Sequence, residues 1–167
     1  MATAAVEAGK LGVSMLTVHA SGGADVFEAT RRAIADSLGE SRPLVVAVTV
    51  LTSMDETALA SIGVSDSPGQ QVLQLARIAR SAGADGFVCS AEEIRMIRDE
   101  FGPTPGIVTP GVRMPGGSVD DQKRVRTPNE AIAAGADWIV MGRPIYRATD
   151  PRAALKAVVD SLGGHQQ

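Results

Sequence analysis

A chain of 167 residues can bury a core of its own, and 44% apolar content with only 3% aromatic suits helices packed on a sheet better than a β-sandwich. A net charge of −3 offers no electrostatic footprint for nucleic acid or an acidic membrane. The lone Cys89 excludes an intrachain disulfide or a cysteine zinc cage, no apolar run reaches the roughly 20 residues of a membrane span, and the opening lacks a secretory pattern. The expectation is a cytoplasmic, reducing setting.

In chain order, residues 3–10 read as the end of an amphipathic helix and 14–19 as a strand. The small residues after His19 turn the chain. Residues 24–38 then have helical spacing, with Val26, Ala29, Ala33 and Ile34 as the apolar face, and Gly39 as the stop. Residues 44–49 form a buried-strand pattern, followed by a long connection with a short helical turn. Residues 68–82 are helical through Val72, Leu75, Ala76 and Ala79.

Residues 86–89 are the next strand; Ser90 and Glu93 suggest a capping box for a helix running to about Phe101. A strand at 106–109 leads into a long polar loop, then a short helix at 129–134 and a strand at 138–141. The segment "GRPIYRATDP" reads as a turn, 151–162 as the closing helix with proline in its first turn, and 163–167 as a frayed tail. "AGADGFV" at 82–88 and "AGADWIV" at 134–140 are near copies, each a helix end, a glycine cap and a strand start.

Apolar strands alternating with helices indicate a single α/β domain over 1–167 with a parallel sheet. Two architectures fit: a doubly wound five-stranded sheet, which the length alone favours, and part of a (β/α)₈ barrel of about 250 residues.

In either architecture ligands bind at the carboxyl ends of the strands. Gly142 and Arg143 follow the last strand; a glycine lets backbone N–H approach an oxyanion, and an arginine grips phosphate bidentately. Arg113 and Gln122 lie in the long loop after the fourth strand and could fold over the same anion. Thr52 and Ser53 could read a heterocyclic amide edge, although hydroxyls there also serve ordinary turns. His19 is expected to pack or hydrogen-bond rather than bind metal, Cys89 to be a small buried residue, and Glu92, Glu93, Asp120 and Asp121 to be helix-start and loop charges. No metal ligand set is apparent.

Together, "VHASGG", "AVTVLTSM", "VCSAEE", "VTPGVR" with "DQKR", and "MGRPI" closely resemble the bacterial orotidine 5′-phosphate decarboxylases, in this order and at these spacings, from about residue 2 to about 162. The resemblance implies a (β/α)₈ barrel, here strands 4 to 8 with their helices. It implies a homodimer that converts orotidine monophosphate (OMP) to uridine monophosphate (UMP) and CO₂ with no cofactor. Carried over by position, Thr52 looks like the pyrimidine contact, and Arg113, Gln122, Gly142 and Arg143 like the phosphate contacts.

The family's catalytic Asp/Lys array, including an Asp-x-Lys-x-x-Asp run at the end of the third strand, has no counterpart in the sequence and is expected before Met1. Lys10, Lys123 and Lys156 do not stand where its lysine should. The chain alone is therefore expected to be inactive. Two other readings remain open: a phosphate-binding barrel enzyme such as a sugar-phosphate epimerase or hexulose-phosphate synthase, and a non-catalytic nucleotide-binding or interaction module. A partial barrel would leave two strand edges and its interior face in water. It is therefore expected to associate with a second copy, to pair with a separately supplied N-terminal segment, to rearrange into an open sheet, or to fold poorly.

Overall fold

The computed structural model describes residues 1–115 and 126–163. Helix α1 (Ala2–Lys10) precedes β1 (Met15–His19) and α2 (Ala24–Leu38); β2 (Leu44–Val48) is followed by α3 (Glu56–Ser61) and α4 (Pro68–Ser81). Then come β3 (Gly86–Val88), α5 (Ile94–Phe101), β4 (Gly106–Pro110), α6 (Pro128–Ala134), β5 (Trp138–Val140), α7 (Arg143–Tyr146) and α8 (Pro151–Gly163). All four strand pairings are parallel, and the strand order is β1-β2-β3-β4-β5. A doubly wound sheet reverses its order at a switch point. The sequential order instead follows the winding of a (β/α) barrel, so the open-sheet architecture is set aside.

The two faces of the sheet differ. Val18, Val45, Ala47, Phe87 and Ile107 alternate along their strands and join one apolar core with Phe27, Ile34, Val72, Leu75, Ala76, Ala79, Ile94 and Ile97 of the helices. Val46 and Val108 are also buried but stand outside that core, as residues of the opposite face must. At the margins that opposite face is open: Leu44, Trp138 and Val140 are 37%, 44% and 50% exposed. Within the described residues, β1 and β5 each pair on one side only. The exposed edges and interior face expected of a partial barrel are thus both present.

Strands β3 and β4 approach closely because their facing residues are glycines. A methyl group on Gly86 would collide with the carbonyl oxygen of Gly106, and one on Gly106 would lie 2.6 Å from the Trp138 ring. The indole therefore lies across the open face of β4.

The near-copied segments have a role beyond capping. Each helix ends at a glycine with positive φ, Gly83 at 86° and Gly135 at 110°, a conformation that favours glycine. Each aspartate then hooks the preceding strand. Asp85 Oδ2 accepts from Val45 N–H at 2.8 Å, and Asp137 Oδ2 accepts from Ile107 N–H at 2.7 Å. An arginine holds each carboxylate: Arg42 bidentately to Asp85 at 2.8 and 3.0 Å, and Arg98 to Asp137 at 2.8 Å. Arg98 also donates to the carbonyls of Gly135 and Pro105 at 2.7 Å each. The repeat thus locks register at the amino ends of the strands, away from the face where ligands bind.

This gives a pH-dependent expectation. Burial alone would push the Asp85 carboxyl up, but the Arg42 guanidinium, the Val45 N–H and the charge of Arg31 outweigh it and hold the group below its ordinary value. A depressed carboxyl stabilises the fold at neutral pH, and that contribution disappears as pH falls through the depressed value. Asp85→Asn should therefore lower unfolding free energy by about 2 kcal/mol at pH 7. The difference from the parent should shrink toward pH 3. Urea titrations at the two pH values check this; an unchanged difference would contradict the ionic role.

Some local expectations need correction. The buried face of α2 is Phe27, Thr30 and Ile34, while Val26 and Ala33 are only half-buried and Ala29 is exposed. Phe27 is the largest side chain on that stretch and turns the helix toward the sheet. Ser90 does not cap a helix with Glu93: its Oγ accepts from Glu92 N–H at 3.1 Å, residues 91–93 form a turn, and α5 starts at Ile94. Capping boxes occur instead at Ser67 with Gln70 and at Thr127 with Glu130. The segment read as a turn after β5 contains α7.

Candidate functional site

The register of β4 and β5 sets Pro110 beside Val140 at the carboxyl ends of both strands. The segments leaving those ends reach a shared cleft of about 250 Å³, lined by Pro110, Gly111, Arg113, Val140, Gly142, Arg143 and Tyr146. Gly111 supports the turn with φ of 76°. The Arg113 N–H donates to the Arg126 carbonyl at 3.0 Å, closing the neck of the long loop on one side of the cleft.

Arg113 is 6% exposed. Its Nη1 donates to the Val112 carbonyl at 2.9 Å, and its Nε is buried without a hydrogen-bond partner among the described residues. A guanidinium with an unused buried donor is costly unless an acceptor arrives. Arg143 is half-buried on the other side of the same cleft. Two arginines lining one small cleft suit an anion better than a neutral ligand.

Three of the five residues expected from sequence therefore meet: Arg113, Gly142 and Arg143. Thr52 does not line this cleft. It is buried at 7% exposure in the turn after β2, two strands from β4, a separation of about 10 Å along the sheet. Its neighbour Thr49 extends the β2–β3 contact, its Oγ1 donating to the Val88 carbonyl at 2.8 Å. Gln122 lies outside the described residues, as do Lys123, Asp120 and Asp121.

Other expectations fare unevenly. Cys89 is buried, as a small apolar residue would be. His19, expected to pack or hydrogen-bond, is exposed at the end of β1, which among the described residues is an edge strand paired only with β2. Glu92 is an exposed loop charge 3.8 Å from Arg126, and Glu93 stands at the N-cap of α5, a helix-start position as expected, although it is buried at 4% exposure. Lys10 and Lys156 sit on helices in ion pairs with Glu7 and Asp160 at 2.7 and 2.6 Å. Tyr146 was missed at the cleft because "GRPIY" was read as a turn. The available signal was Pro144 directly after Arg143, since proline is favoured in a first helical turn.

Comparison with known proteins decides the family. The sequence matches the orotidine 5′-phosphate decarboxylase / HUMPS family over residues 1–158. The chain belongs to that family. It is 48% identical over 155 residues to an orotidine 5′-phosphate decarboxylase of Vibrio parahaemolyticus serotype O3:K6, covering 93% of this chain and 66% of that protein. With a Gluconobacter oxydans protein of the same name it shares 49% over 151 residues, covering 89% of this chain and 64% of that protein. The chain thus spans just under two thirds of the length of these two curated relatives. Among solved structures, the orotidine 5′-phosphate decarboxylase of Lactobacillus acidophilus superposes with a TM-score of 0.78 at 35% identity, over 94% of this chain and 66% of that one. The sequential parallel sheet is thereby a portion of the family's barrel, and the cleft lies at its carboxyl-terminal rim. Among the described residues, no helix is long and apolar enough to cross a membrane.

Proposed function

We propose that this chain carries the phosphate-binding and pyrimidine-binding half of an orotidine 5′-phosphate decarboxylase, acting on OMP in a cytoplasmic homo-oligomer without a cofactor. The observation that carries the reading is Arg113, a buried arginine with an unused Nε donor, sharing one cleft with Arg143 at the strand ends. In this reading Arg113, Gln122, Arg143 and the backbone of Gly142 hold the phosphate. Thr52, buried about two strand spacings from the cleft, addresses the pyrimidine. The spread of these groups around the rim suits a nucleoside monophosphate laid across several strand ends. A sugar phosphate would use the arginines but leave Thr52 without a heterocycle, and the curated relatives at 45–49% identity carry the decarboxylase name.

Decarboxylation breaks the bond between C6 and the carboxylate, releases CO₂ and leaves an electron pair at C6 that must take up a proton. It requires preorganised charge beside that carbon. The sequence contains no Asp-x-Lys-x-x-Asp run, and Lys10 and Lys156 are engaged on helices with Glu7 and Asp160. The acid–lysine array is therefore assigned to residues outside this sequence, and these 167 residues alone bind nucleotide without turning it over.

Calorimetric titration of UMP and uridine into the chain tests the binding half. UMP should bind and uridine should bind at least tenfold more weakly, because it lacks the group that forms the charge-assisted bonds. Equal affinities would contradict the phosphate assignment.

A further inference from the structure

We infer that Tyr146 is a third contact of the anion, its phenol hydroxyl donating to a phosphoryl oxygen held between Arg113 and Arg143. The inference rests on the reading of the cleft as a phosphate site, and it adds a residue that the sequence motifs do not point to.

Tyr146 lines the same cleft as both arginines. Its backbone N–H donates to the Gly142 carbonyl at 3.1 Å, which sets residue 146 one helical turn beyond Gly142. The ring then lies against Gly142, with Cε1 3.5 Å from where a β-carbon on that glycine would be. The Arg147 guanidinium stands 5.9 Å from the ring centroid, a cation–π contact that favours one placement of the ring. Tyr146 is nevertheless 62% exposed. The ring therefore rests against Gly142 and is open to solvent along the cleft, where a ligand can meet it.

Its chemistry complements the arginines. A terminal phosphoryl group presents three oxygens, and a bidentate guanidinium engages two. A neutral hydroxyl can hold a phosphoryl oxygen without adding a further charge to the cleft, and a tyrosine loses little side-chain entropy on ordering.

The chain holds one tyrosine, so 3-fluorotyrosine labelling yields a single fluorine resonance that reports on this position alone. Addition of UMP should shift that resonance, and uridine at the same concentration should not. Tyr146→Phe, which keeps the ring and its contacts, should weaken UMP binding about fivefold to tenfold while leaving uridine binding unchanged. If Tyr146→Phe binds UMP as tightly as the parent while Arg143→Ala binds it weakly, the tyrosine contact is overturned and the phosphate cleft stands. If neither substitution changes UMP binding, or the parent chain does not bind UMP, the cleft reading fails and this inference fails with it.

Discussion

Arg143→Ala should weaken UMP binding by about 10- to 100-fold, and Arg113→Ala by at least as much, the two losses traced to charge-assisted bonds of about 1.5–3 kcal/mol each. The two sites are not equivalent. Arg143 is half-buried where it lines the cleft. Arg113 is 6% exposed and also donates to the Val112 carbonyl, so its removal also loosens the turn after β4. Calorimetry with UMP, paired with a thermal melt of each variant, separates loss of affinity from loss of stability, and Arg113→Ala should show the larger fall in melting temperature. Both groups address one anion, so the double variant should lose less than the sum of the single losses. Retained UMP affinity in both single variants would show that the cleft binds something else.

The second large effect is on stability. Phe87 is fully buried at the centre of the sheet, its ring 5.2 Å from that of Phe101 at an interplanar angle of 42°. It joins the β3 backbone to α5, and its neighbours in register, Ala47 and Ile107, are also fully buried. Phe87→Ala should cost about 3–5 kcal/mol through the cavity it leaves. For a domain of this size that lowers the melting temperature by roughly 10 °C or more. Among the described residues β1 and β5 each pair on one side only, so much of the variant should be aggregated on expression. A melting temperature within about 3 °C of the parent would mean that the helix-side core is not what holds the sheet together.

The fold was largely legible because its signals are local. Apolar runs mark each strand, and the buried face of α4 appears in sequence as Val72, Leu75, Ala76 and Ala79 and is buried as such. Reading α2 failed at Phe27, where one large residue outweighs the alternation of smaller ones in choosing the face. Strand order could not be read from periodicity, since open sheets and barrels share it; the resemblance supplied it and the pairing β1-β2-β3-β4-β5 bears it out. The repeated "AGAD" was visible, but the hooks that Asp85 and Asp137 make are contacts to residues 40 and 30 positions away. At the candidate site, Arg113 and Arg143 were legible as chemistry that follows strand ends. Their meeting in one cleft depends on β4 pairing with β5, which no local pattern states. Tyr146 escaped because a four-residue helix carries too little periodicity to be seen.

The central claim is that this chain holds the binding half of the site and needs the acid–lysine half from elsewhere. Absorbance-monitored decarboxylation of OMP tests it most directly. The 167-residue chain is assayed alone and again with a separately produced polypeptide bearing the first three strand–helix units of a relative. The account predicts no turnover by the chain alone and turnover on mixing, abolished when Arg143→Ala replaces the parent chain. Turnover by the chain alone, or a mixture whose activity survives Arg143→Ala, would contradict it.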